Sequence, residues 1–317
     1  MIFMEQRTRQ DIATLKQFSE DLLGRSSSFD QLGKLPTYIP ELAAMDSTYC
    51  GLAISTLDGN KVSAGNADTP YTIQSVSKVF ALVLVLLLIE DELWEHIDME
   101  PSGQKFNSFW QLESDQGRAR NPFINAGALK ITDLIMAHST QPQAALLDLI
   151  RTVSSDSTVR INEAVYLSEL HHGHLNFALA NILKAYGQLN HDTYAVSSLY
   201  FQQCSIEMNC ESLAQSLLFL ANQGVDPITQ TTVCSPAQAA LVNTILSSCG
   251  MYDQSTYMNS LIGLPSKSGV SGSVVAIAPG CGVISAWSPL LNQFGNSVKG
   301  VWLVQQVSQY LGWSVFK

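Results

Sequence analysis

Charge is what this sequence has least of. Only 14% of its 317 residues are charged, where soluble domains carry roughly a quarter. The 17 basic residues are outnumbered by 27 acidic ones, for a net charge of −10. Such a chain offers no overall attraction to phosphate backbones or anionic lipid, so neither nucleic acid nor a membrane surface is an expected partner. Long apolar runs are missing too: the longest uncharged one, Val79 to Ile89, has eleven residues, about half of what spans a bilayer. Six cysteines (Cys50, Cys204, Cys210, Cys234, Cys249, Cys281) stand without CxxC spacing, which reads as buried thiols in a reducing cytoplasm rather than a disulfide frame. The opening residues MIFMEQRTRQD show no apolar stretch with a cleavage site, so a secretory signal is not expected. No GxGxxG, P-loop or EF-hand pattern occurs, and no cofactor is expected. His171, His172 and His174 lack metal-ligand spacing and read as a polar loop.

With 46% of residues hydrophobic, the chain can build a large core, and disorder is excluded. The shortage of charge is uneven. Residues 1–160 hold 33 of the 44 charges and residues 161–317 hold 11, with no Arg after Arg160. A subunit interface in the depleted half would account for this.

No repeat or linker divides the chain. Thr48–Thr56, the Asp58-Gly59 turn and Lys61–Ala64 predict one hairpin; Ser273–Ala278 and Gly282–Trp287 about Pro279-Gly280 predict a second. Helical spacing dominates between them, at 125–137, 143–153, 174–186 and 235–249. After Asn296 an amphipathic helix closes the chain, with Val298, Val301, Val304, Val307 and Leu311 on one face. The expectation is an α+β fold: an antiparallel sheet contributed by both ends of the chain, flanked by helices, plus a helical lobe. The whole chain, 1–317, would form one catalytic unit. Its α/β lobe would comprise about 30–90 and 250–317, its helical lobe about 91–249, with a ligand cleft between them.

The sharpest chemical signal is TIQSVSK, residues 72–78. Positions three apart share a helix face, so Ser75 and Lys78 can meet as hydroxyl and amine. Burial of the apolar helix behind them would lower the lysine pKa and make it a base for the serine nucleophile. At a helix start, free N–H groups also favour a developing oxyanion. Ser-x-x-Lys alone is weak, since Ser102 to Lys105 fits it too, within a Pro101/Gly103 turn. Lys267-Ser268-Gly269 strengthens it: Ser-x-x-Lys followed by a Lys-Thr-Gly-like strand motif is the pairing of class A β-lactamases and penicillin-binding proteins. A clear Ser-Asp-Asn triplet is absent.

Longer segments carry a more specific resemblance. GKLPTYIPELA (33–43), TIQSVSKVFAL (72–82), NPFINAGAL (121–129), INEAVYLSE (161–169), LYFQQCSIEMNCES (199–212), SSCGMYD (247–253), GLPSKSGVSG (263–272) and WSPLLNQFGNSVKG (287–300) resemble the serine-dependent glutaminases of the β-lactamase/DD-peptidase-like fold. The resemblance implies hydrolysis of L-glutamine to L-glutamate and ammonia, with Ser75 as nucleophile and Lys78 as base. It implies substrate contacts at Tyr38, Ser75, Asn125, Glu169, Asn176, Tyr200, Tyr252 and Val270. It also implies a catalytic part for Tyr252 as proton relay, and a homodimer or homotetramer. Glu169 suits the substrate ammonium, the asparagines and tyrosines its orientation. The Val270 N–H would join that of Ser75 as oxyanion hole. The sequence departs from the family around His171 to Asn176, where many relatives carry a Gly-Asp-Arg-Asn type run. A β-lactamase or DD-peptidase-like hydrolase, or a non-catalytic amino-acid binder of the same fold, remain alternatives.

Overall fold

A computed structural model describes residues 12–316. The opening segment 1–11, read above for a secretory signal, lies outside the described residues. Sequence-distant strands build the main sheet. Strands β1 (Gly51–Thr56) and β2 (Lys61–Gly65) form the first predicted hairpin. Two short strands, β3 (Tyr71–Thr72) and β4 (Arg160–Ile161), and the three-residue β5 (Ile206–Met208) lie apart from it. Strand β6 (Ser266–Ser268) precedes the second hairpin, β7 (Ser273–Ala278) and β8 (Gly282–Trp287). The five-stranded order is β2-β1-β8-β7-β6, antiparallel throughout. β1 begins at Gly51 and not at Thr48, because the Asp46 carboxylate takes both the N–H and the hydroxyl of Thr48 and turns the chain there.

Every residue of β7 and β8 is buried, and alternation decides which layer each one meets. Leu52, Ile54, Val274, Ala276, Ile284 and Ala286 pack with the terminal helices Ile12–Ser26 and Val298–Leu311. Ala53, Val275, Ile277, Val283 and Trp287 join the larger core of the helical region. Two-sided cover of these strands is enough to explain why residues 268–298 carry no charge. That part of the depletion needs no subunit interface.

The predicted helices are present within a residue of their expected ends: Asn125–His138, Pro142–Ser154, His174–Ala185 and Pro236–Cys249. Helix Ser77–Ile89 is apolar around nearly its whole circumference and buried accordingly. It is the axle of the helical region. The small sheet β3-β5-β4 stands just before it, and the Ile73 N–H extends the pairing by donating to the Ile206 carbonyl. Among the described residues no helix is long and apolar enough to cross a membrane, and no disulfide joins the six cysteines.

The histidine segment is a helix junction and not the loop expected. Helix Glu163–His172 ends in His171 and His172, whose Nδ1 atoms bond the Leu167 and Ser168 carbonyls at 2.6 and 2.9 Å. Gly173 turns the chain, and His174 begins the next helix. The helix ends with the Gly173 N–H on the Glu169 carbonyl at 2.7 Å.

Candidate active site

Ser75 lies in a 3-10 turn, Gln74–Val76, that feeds directly into the helix beginning at Ser77. The turn is strained: Gln74 has φ 47, a left-handed value unusual for a residue with a side chain. Its carbonyl accepts the Ser77 hydroxyl at 2.7 Å, which removes Ser77 as a nucleophile and fixes the turn. Lys78 follows on the first helical turn with only 1% of its surface exposed. Its Nζ donates to the Asn125 Oδ1 at 2.7 Å and to the Phe123 carbonyl at 3.1 Å. Burial lowers its pKa to about 8, with Cys204 and Glu169 pulling the other way.

Asn125 opens its helix and links several partners. Its Oδ1 faces Lys78 and, at 3.4 Å, the Tyr200 hydroxyl; its Nδ2 donates to Asn176 Oδ1 at 2.9 Å. Glu169 is buried on helix Glu163–His172, and its Oε1 has no hydrogen-bond partner. Desolvation raises its pKa to about 7, against the lowering effects of Gln74 and Lys78. A buried carboxylate oxygen without a partner is costly, which makes Glu169 a candidate site residue. Tyr38 stands at the rim with 49% of its surface exposed. Its phenol is nonetheless held well above the usual range, by desolvation first and then by Glu169 and Tyr252.

On the opposite side Tyr252 has φ 52 and a buried hydroxyl beside that of Ser75. Desolvation pushes its pKa up, and the adjacent Ser75 hydroxyl holds it back. Val270 packs in one small cluster with Tyr252, Ile39 and Leu291. Gly269 lets this loop approach the serine turn: a Cβ there would lie 2.6 Å from the Ile73 carbonyl oxygen. Among the described residues, the N–H groups of Ser75 and Val270 donate to no backbone carbonyl. All nine residues singled out in the sequence therefore belong to one connected group.

Lys267, noted for its motif but given no role, belongs there as well. It is fully buried, donates to the Ser268 carbonyl at 2.7 Å and lies 4.6 Å from the Tyr252 ring centroid. Its pKa is held well below the usual value, by burial and then by Lys78. The motif was the signal; the stack on Tyr252 was not legible. Among the described residues no cluster of His, Cys, Asp and Glu has the makings of a metal site.

A family model described as Glutaminase matches residues 33–316. The chain belongs to the glutaminase family. It is 45% identical over 286 residues to the glutaminase of Rhizobium rhizogenes, covering 90% of this chain and 93% of that one. It is 44% identical over 306 residues to the thermolabile glutaminase of Rhizobium etli, with 96% and 98% covered. Among solved structures, it resembles the Bacillus subtilis glutaminase YbgJ in covalent complex with 5-oxo-L-norleucine formed from 6-diazo-5-oxo-L-norleucine. That match has a TM-score of 0.86 and 28% identity, and covers 95% of this chain and 99% of that one. The fold is thus the β-lactamase-like one that the sequence implied.

Within this glutaminase-family site, the helix junction holds two of the polar groups apart. Glu169 precedes Gly173 by four residues and Asn176 follows it by three. A Cβ at Gly173 would lie 2.6 Å from the Glu169 carbonyl oxygen and 2.4 Å from Phe201 Cζ. Gly173→Ala is therefore expected to lower stability by about 1–3 kcal/mol through overpacking, read as a drop of several degrees in thermal midpoint. Affinity for glutamine should fall with it, as both flanking residues shift.

Proposed function

We propose that this chain hydrolyses L-glutamine to L-glutamate and ammonia through a γ-glutamyl ester on Ser75. The observation that carries the mechanism is the setting of Lys78. A neutral lysine has two N–H bonds and one lone pair. With both N–H bonds directed at Phe123 and Asn125, deprotonation leaves the lone pair as the group free to take the Ser75 proton. The serine Oγ then bonds to the side-chain carboxamide carbon, and the N–H groups of Ser75 and Val270 receive the oxyanion. As the C–N bond breaks, a proton returns to nitrogen from Lys78 directly or through Tyr252, and ammonia leaves. Water attacks the ester, Lys78 accepts its proton, and the serine is released with a proton of its own.

Glu169 receives the substrate ammonium in this reading, and Asn125, Asn176, Tyr38, Tyr200 and Tyr252 orient the remainder. The Lys267 ammonium, when charged, would hold the Tyr252 ring by a cation–π contact. The covalent norleucine complex of the Bacillus subtilis relative supports a covalent route. Residues 30–90 with 250–317, and 91–249, are the two lobes of one catalytic unit in this proposal. The cytoplasm as compartment and a homodimer or homotetramer as assembly belong to it too.

The test is ammonia release from glutamine, asparagine and γ-glutamyl amides in parallel, across pH. Glutamine should be preferred, and absence of release from it would overturn the reading. Activity requires a charged Glu169 and a neutral Lys78, with pKa values of about 7 and about 8 in the free protein. Both lose a proton as pH rises, so kcat/KM is expected to climb from pH 6 through about 8. It falls again when the substrate ammonium titrates, giving an alkaline optimum. A profile that is flat between pH 6 and 9 would exclude Lys78 as the base.

A further inference from the structure

Two cavities adjoin the site. One, of about 1110 Å³, is the mouth bounded by Tyr38 and Val270. The other, of about 770 Å³, lies against Tyr252 and Phe123. Lys105, Phe106, Asp253, Gln254 and Phe294 line both and form the partition between them.

Phe106 is held at three points in this partition. Its N–H donates to the Asp253 Oδ1 at 3.1 Å. Its carbonyl accepts the Asn125 N–H at 2.9 Å. Its ring sits against the Tyr252 ring, with centroids 4.6 Å apart and planes inclined at 39°. Tyr252 and Asn125 come from parts of the chain more than a hundred residues apart, and Phe106 touches both. Asp253 is the one side chain that anchors the Phe106 N–H. It directly follows Tyr252, whose positive φ needs the surrounding structure to hold it.

We propose that Asp253 is a positioning residue for the reaction, setting Tyr252 and Asn125 relative to Ser75 through Phe106. This rests on the glutaminase reading above. Asp253 touches none of the reacting groups. Its carboxylate fixes a backbone position that meets a residue of each side of the site. Loss of the acceptor frees the 101–106 segment, so the Phe106 ring leaves Tyr252 and the carbonyl leaves Asn125. Proton delivery suffers most, because it depends on where the Tyr252 hydroxyl lies.

The experiment is steady-state ammonia release by the full chain and by Asp253→Ala, Asp253→Asn, Phe106→Leu and the Phe106→Leu/Asp253→Ala double variant. Asp253→Ala is expected to lower kcat about 10-fold with a smaller change in KM, a misplacement effect. Asp253→Asn keeps an Oδ1 acceptor and should stay within about twofold of the parent, which a mere loss of charge or fold would not allow. In the Phe106→Leu background, Asp253→Ala should cost less than it does in the parent, because the ring contact with Tyr252 is already lost and only the carbonyl contact with Asn125 remains to be disturbed. Unchanged kcat in Asp253→Ala, equal damage in Asp253→Asn, or full additivity with Phe106→Leu would each overturn the proposal while leaving the glutaminase reading in place. No ammonia from the parent chain would instead overturn that reading, and this inference with it.

Discussion

Ser75→Ala is expected to abolish ammonia release, with a loss of roughly 10⁴-fold or more in kcat, as when a member of a nucleophile–base unit is removed. Its fold should survive. The Ser75 side chain makes no hydrogen bond that secures the turn; that task falls to the Ser77 hydroxyl on the Gln74 carbonyl and to the Val76 N–H on the Ile73 carbonyl. The Lys78 bonds to Phe123 and Asn125 do not pass through Ser75 either. Substrate should therefore still bind, and calorimetry with glutamine would register affinity without turnover. Substantial turnover in this variant would sink the covalent route and leave a direct attack by water.

Glu169→Gln should move stability and affinity in opposite directions. The carboxyl titrates at about 7 in the fold, above its ordinary value of 4.5, because burial disfavours the anion. A carboxyl raised in this way costs stability as pH rises from 4.5 through 7, and the full cost persists above that. Neutralising it is expected to raise the thermal midpoint by several degrees at pH 8, an advantage that fades below pH 5. Glutamine binding loses its counter-charge to the ammonium. Removal of one partner from a buried charge pair costs about 3 kcal/mol, roughly 100-fold in kcat/KM. Thermal melts at pH 8 and pH 4.5 beside kinetics would check it. A parallel loss of stability and affinity would mean that Glu169 is structural.

Much of this arrangement was legible because it repeats with a period or stands in a motif. The hairpins announced themselves through alternation about Asp58-Gly59 and Pro279-Gly280, and the helices through their apolar spacing. Ser75 and Lys78 share a helix face by arithmetic alone. What could not be read is what arises only by contact. Strands of two or three residues such as Tyr71–Thr72 carry no period, so the sheet that steers the chain into Ser75 was invisible. The junction at Gly173 looked like a loop because histidine gives no periodic signal, whereas the structure ends one helix there and starts another within a residue. Asp253 and Phe106 lie 147 positions apart, and no local pattern joins them. Glu169 was named through the family resemblance, whereas its burial and its partnerless Oε1 were not legible.

The pairing of Gly51 with Trp287 has a consequence for how the molecule comes into being. Strand β1 leaves the ribosome early, yet its central neighbour follows more than two hundred residues later. Until β8 arrives, β1 and β2 form a two-stranded ribbon with both edges open, and such ribbons are marginal alone. Lys267 on β6 and Val270 in the loop after it lie on that same distant stretch. A growing chain thus carries Ser75 long before it carries Val270. The β1–β8 pairing is a contact of high sequence separation, the class that slows folding.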